Sequence, residues 1–141
     1  MSLALGKFDL LKECTPDELE LLADFFEEAS LEDGRTLYHR GGEAAALILL
    51  REGYVALEAD GQPLGEVAPG AALGLTSLVH IGKRVCTARA TAPLQTFVLT
   101  RESYLRLRAD HPALALLLQE GVLRTVAGVM QQLDGVRSSA P

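Results

Sequence analysis

Between residues 35 and 99 the chain is cut into short apolar runs by turn chemistry about every ten residues, and no other feature limits its fold as much. The runs are 36–39, 46–51, 54–59, 85–90 and 94–99. Gly41-Gly42, Glu52-Gly53, Asp60-Gly61, Pro69-Gly70 and Ala92-Pro93 separate them. Runs of this length suit strands, since a helix needs ten or more residues to present a face. The centre of the chain is therefore expected to be a small all-β sandwich or barrel. Residues 74–79 show neither alternation nor turn chemistry, and a single helical turn is expected there.

Both flanks have a helical period instead. Thr15 is an N-cap, Pro16 suits the first turn, and Glu18 completes a capping box. Leu19, Leu22, Ala23 and Phe26 repeat on one face, and the helix is expected to stop before Asp33-Gly34. After residue 99, Thr100 caps a helix over 101–109, His111-Pro112 breaks it, and Pro112 opens a second helix to about Asp134. Such a helix would be a rod of roughly 33 Å. Its stripe of Leu114, Leu117, Leu118, Val122, Val126, Val129 and Leu133 is broad, and one small barrel does not easily bury both its sides. A homodimer or another protein partner is expected on those residues. The organisation is thus read as one domain over 1–141: an N-terminal helical segment 8–30, a β-roll 34–99 and C-terminal helices 100–135.

Charge and chemistry narrow the function. The net charge is −6, with ten acids against Lys7 and Lys12 in residues 1–34, so the head carries −8 and the remainder +2. That balance argues against a whole-surface nucleic-acid binder, and residues 83–108 are mildly basic. Cys14 and Cys86 are the two cysteines and are expected as free thiols in a reducing compartment. No signal peptide, membrane-spanning helix or helix-turn-helix module is expected, which makes a cytoplasmic setting the natural one. His39, His80 and His111 lack metal-ligand spacing, Ser77 lies in no nucleophile elbow, and Glu43 and Glu66 form no marked carboxylate pair. Neither a metal, a cofactor nor an enzymatic activity is expected.

The segment from Pro69 to Ala90 carries the remaining signal. A helical turn after Gly74 would offer backbone N–H groups to an anion, Thr76 and Ser77 would add hydroxyls, and Arg84 at a strand start would add a two-pronged cation. Arg84 has three readings on spacing alone: an anion contact, an ion pair with an acid such as Glu66, or exposure to solvent.

These residues, with Thr15-Pro-Asp-Glu-Leu-Glu-Leu-Leu-Ala23, Leu47-Ile-Leu-Leu-Arg-Glu-Gly53-Tyr-Val55 and Leu64-Gly-Glu-Val-Ala-Pro-Gly70, resemble the cyclic nucleotide-binding domain family over nearly the whole chain. The resemblance implies a mainly β domain with flanking helices, an eight-stranded jelly-roll. It also implies a phosphate-binding cassette of the form Gly-Glu-Leu-Ala-Leu, then Arg-Ser/Thr-Ala, in which glutamate accepts from the ribose hydroxyl and arginine neutralises the cyclic phosphate. Gly74, Leu78 and Arg84 match that pattern by position. Leu75 stands in place of the glutamate, Thr76 and Ser77 replace Leu-Ala, and Val85 replaces the hydroxyl residue. Losing a charge-assisted bond of about 1.5–3 kcal/mol lowers affinity roughly tenfold to over a hundredfold. The cassette, Gly74 to Ser77 with Arg84 and Val85, is accordingly read as degenerate. The expected role is a stand-alone regulatory or adaptor domain acting through protein contacts. A cAMP or cGMP sensor with an atypical ribose pocket, or a site for another small anion, is the alternative.

Overall fold

The structure is a computed structural model and describes residues 1–74 and 82–139, side chains being described through residue 128. It is mainly β with helices at both ends. Helix α1 (Ser2–Leu5), a 3-10 turn (Asp9–Leu11) and α2 (Pro16–Ala23) precede the strands. The strands are β1 (Glu27–Leu31), β2 (Thr36–Tyr38), β3 (Glu43–Ala44), β4 (Ala46–Glu52), β5 (Val55–Ala59), β6 (Gln62–Val67), β7 (Ala72–Leu73), β8 (Gly82–Lys83), β9 (Thr87–Ala90) and β10 (Leu94–Thr100). Helices α3 (Arg101–Asp110) and α4 (Pro112–Ser139) follow. One sheet runs β1-β10-β4-β7, a second β2-β9-β5-β6, and β3 pairs with β8 alone. The described residues carry ten β segments where eight strands were expected; β3, β7 and β8 are only two residues long.

Strands β4 and β10 lie at the centre. Leu47, Leu49, Phe97 and Leu99 pack with Leu5, Phe8, Leu11, Leu22, Tyr104, Leu107 and Leu118 of the helical elements. Leu50 and Leu94 instead join Val55, Ala88 and Ala90 between the two sheets. A strand covered on both faces reads as an unbroken apolar run, and residues 46–50 are such a run.

The capping box at the start of α2 forms as expected. The Glu18 amide donates to Thr15 Oγ1 at 3.2 Å and the Thr15 amide to Glu18 Oε1 at 2.8 Å. The helix itself is shorter than its sequence suggests. It ends at Ala23, and Glu27–Leu31 is a strand antiparallel to β10, with Glu27 opposite Val98 and Leu31 opposite Leu94. The N-terminal helical segment therefore does not reach residue 30. Phe26 continues the apolar period but is buried by the turn of the chain, not by another helical turn. Beyond it no period remains to hold a helix, and β10 offers a ladder from 65 or so residues away.

Helix α4 is a rod of about 42 Å. Over the described side chains its apolar stripe is used by the chain itself, which corrects the expected interface at Leu114, Leu117, Leu118, Val122 and Val126. Leu114, Leu118 and Val122 are buried in the core, and Leu117 and Val126 pack against it. The helical elements before β1 supply a second wall that a bare barrel would lack. Val129 and Leu133 lie beyond the described side chains. Among the described residues, the large apolar side chains α4 leaves outward are Leu116 and Leu123, 54% and 68% exposed. Gln119 of α4 donates to the Tyr104 hydroxyl, and Arg124 Nη2 to the Asp9 carbonyl at 3.1 Å.

The closest approach is at Gly121, where a Cβ would stand 2.1 Å from the Leu10 carbonyl oxygen. Gly128, one repeat further on, has nothing within 4 Å. Gly121→Ala is expected to destabilise by about 1–3 kcal/mol or more, because backbone must shift. Gly128→Ala is expected to stabilise by up to about 1 kcal/mol through helix propensity. Urea unfolding of the two variants checks both signs.

Candidate anion pocket

The pocket is built around a short ladder. Glu43 and Ala44 of β3 face Lys83 and Gly82 of β8. The pairing continues into the turn before β3: the Arg84 amide donates to the Gly42 carbonyl at 2.7 Å, and the Gly41 amide to the Arg84 carbonyl at 2.8 Å. These bonds fix the Arg84 backbone just ahead of β9. The side chain then lies over the Tyr38 ring of β2, with its guanidinium carbon 4.2 Å from the ring centroid. Nη2 donates to the Ala46 carbonyl of β4 at 3.1 Å. A cavity of about 180 Å³ opens here, lined by Tyr38, Ala44, Gly74, Lys83, Arg84, Val85 and Cys86.

Burial pushes the Arg84 guanidinium below the ordinary arginine range, while Tyr38 and Cys86 beside it act the other way. Burial is also the main reason the Tyr38 phenol titrates above its ordinary 10.0; Cys86 adds to that and Arg84 opposes it. The ring covers one face of the guanidinium and the carbonyl accepts from Nη2, a stack of this kind contributing about 0.5–2 kcal/mol. Arg84 Nε is buried without a hydrogen-bond partner among the described residues.

The residues singled out in the sequence divide as follows. Gly74, with φ of +75°, and Arg84 both line the cavity. Val85 lines its rim with a side chain 82% exposed. Leu75, Thr76 and Ser77 lie outside the described residues, as does the helical turn expected over 74–79. The ion pair with Glu66 is not formed: Glu66 sits on β6 opposite Ala56, and no described carboxylate pairs with Arg84. Full solvent exposure of Arg84 is also set aside, since its side chain is half-buried. Tyr38, Lys83, Cys86 and the Ala46 carbonyl were not legible as site members. Strand alternation gives the face of Tyr38, but nothing local says that a residue 46 positions later stacks on it.

The sequence profile of the cyclic nucleotide-binding domain matches residues 28–111, from β1 to the end of α3. The chain belongs to the cyclic nucleotide-binding domain family. The Cyclic AMP receptor protein of Thermus thermophilus is 30% identical over an alignment of 105 residues that covers 71% of this chain and 49% of that protein. This cyclic nucleotide-binding domain therefore spans about half the length of its curated relative. Among solved structures, the N-terminal domain of a transcriptional regulator from Streptomyces coelicolor superposes with a TM-score of 0.78 at 25% identity, covering 89% of this chain and 94% of that one. A cyclic nucleotide-binding domain from Methylobacillus flagellatus reaches a TM-score of 0.83 at 20% identity, covering 98% and 81%, and so shares the fold. The jelly-roll with flanking helices is that of a regulatory domain type.

The Tyr38 shift has a measurable consequence. Above pH 10.0 the unfolded phenol loses its proton while the folded one keeps it, so the folded state binds more protons. Its contribution is complete below that pH and is lost as pH rises toward the folded pKa. Stability of the wild type is expected to fall more steeply above about pH 10 than that of Tyr38→Phe, as measured by urea unfolding across the alkaline range.

Proposed function

We propose that this cyclic nucleotide-binding domain is a regulatory or adaptor module that works through protein contacts and does not take cAMP in the family's usual way. The observation that carries the reading is the engagement of Arg84 with the Tyr38 ring and the Ala46 carbonyl. A cyclic phosphate would meet a cation whose Nη2 and one ring-facing side are already engaged by the domain itself. Leu75, at the position of the family's ribose-binding glutamate, removes a second contact.

The contact surface we assign is the outward face of α4. Leu116, Glu120, Leu123 and Ala127 are all exposed and recur at helical spacing. This face, not the buried stripe, is where a second copy of the chain would pack. No catalytic role enters the proposal.

A second reading has its own support. The unpartnered Nε of Arg84 is a buried donor that a small anion would satisfy, and the Thermus thermophilus relative is named for cyclic AMP. Calorimetric titration with cAMP and cGMP separates the two. The expected outcome is no heat up to millimolar ligand, with light scattering giving a dimer mass that Leu123→Glu converts to a monomer. Micromolar binding that disappears in Arg84→Ala would instead make this domain a cyclic nucleotide sensor.

A further inference from the structure

A second cavity, of about 350 Å³, lies at the end of β4 and shares no lining residue with the one at Arg84. Ala4 of α1 and the buried Phe8 and Leu50 give it apolar walls, and the Pro69-Gly70 turn closes one side. The exposed Lys7, Arg51 and Glu52 carry its charges. The arginine stands at an unusual place in β4. Leu47 and Leu49 point into the core under the helical elements, and alternation puts residue 51 on the same face. A cation therefore sits where the pattern calls for another apolar side chain. Its guanidinium carbon lies 5.7 Å from the centroid of the Phe97 ring, and Phe97 meets Phe8 edge-on at 6.2 Å between centroids.

The backbone aims this side chain. Gln95 lies opposite Glu52 and Thr96 opposite Leu50, so Arg51 is an extra residue with no partner across the ladder. Such a bulge suspends alternation: Arg51 and Glu52, which a regular strand would send to opposite faces, both line the cavity. Among the described residues no carboxylate pairs with Lys7 or Arg51, whereas Lys12, the other lysine of the acidic head, stands 3.4 Å from Asp9. No other described residue takes a side-chain hydrogen bond from Arg51, so the Phe97 ring holds the guanidinium by its face and leaves its donors open.

We propose that this cavity binds a small amphiphilic carboxylate. Its short aliphatic body would lie against Phe8, Leu50 and Ala4, and its carboxylate would take the Arg51 fork with Lys7 beside it. Two cations against Glu52 leave one net positive charge, which a single carboxylate matches and a doubly charged phosphate exceeds. The volume is at the small end of the roughly 300–1,000 Å³ of small-molecule sites. A ligand here would touch the N-terminal elements and β4 at once and hold them together. The site stands apart from the reading of Arg84 above.

Titration of the full chain with sodium octanoate, followed through backbone amide shifts by NMR, tests the proposal. Saturable shifts are expected at Lys7, Phe8, Arg51 and Gly70. Octanol, which keeps the body and lacks the charge, is expected to bind about tenfold more weakly or worse, and acetate, which keeps only the charge, not to saturate. Arg51→Gln is expected to weaken octanoate about tenfold or more, and Glu52→Gln to tighten it. Lys7→Gln, a change at an exposed position, is expected to weaken it severalfold and serves if Arg51→Gln does not fold. Equal affinity for octanol and octanoate would overturn the proposal. So would octanoate shifts centred on the Arg84 cavity, no saturation up to about ten millimolar, or affinity unchanged in the folded variants. The cAMP and cGMP titrations report on Arg84 alone, so either reading can fail without the other.

Discussion

Strands β4 and β10 are covered on both faces, and the rest of the structure is arranged around that double burial. Leu47, Leu49, Phe97 and Leu99 need a helical layer on one side, while Leu50 and Leu94 need the second sheet on the other. A two-sheet roll alone would leave the first set in water. The terminal helices are therefore part of the core and not attachments to it. This is why the apolar stripe of α4 is consumed within the chain, and why Gly121 must lie against the Leu10 carbonyl with no side chain between them.

Constraint of the same kind shapes the pocket. A half-buried guanidinium has to find acceptors, and Arg84 finds an aromatic face and a backbone carbonyl where no described acid pairs with it. The residue that would neutralise a phosphate is thereby built into the wall of the domain. Arg101 donates to the two carbonyls just before the one Arg84 uses, so both cations rest against the same short stretch of backbone.

Much of the fold is legible in the order of residues. The turn pairs place the central strands, Thr15 with Glu18 starts α2, and Thr100 and Pro112 start the two C-terminal helices, because each signal is satisfied within a few positions of itself. Gly74 and Arg84 can be found by pattern for the same reason. The failures are of another kind. Glu27–Leu31 lies in the stretch read as helix up to Asp33-Gly34, yet it pairs with a strand some 65 residues on. The α4 stripe looks unmatched until the N-terminal elements are folded back on it.

Sequence by itself determined the caps, the β-rich centre and the helical character of the stretches on either side of it, apart from β1. Those properties depend on side-chain spacing and turn chemistry, which are local. Only the tertiary structure decided which face of α4 stays open, that β1 is a strand, and that Tyr38 and the Ala46 carbonyl occupy Arg84. Each of these rests on groups brought together from distant positions, where the free energy of long-range pairing and burial outweighs any local preference.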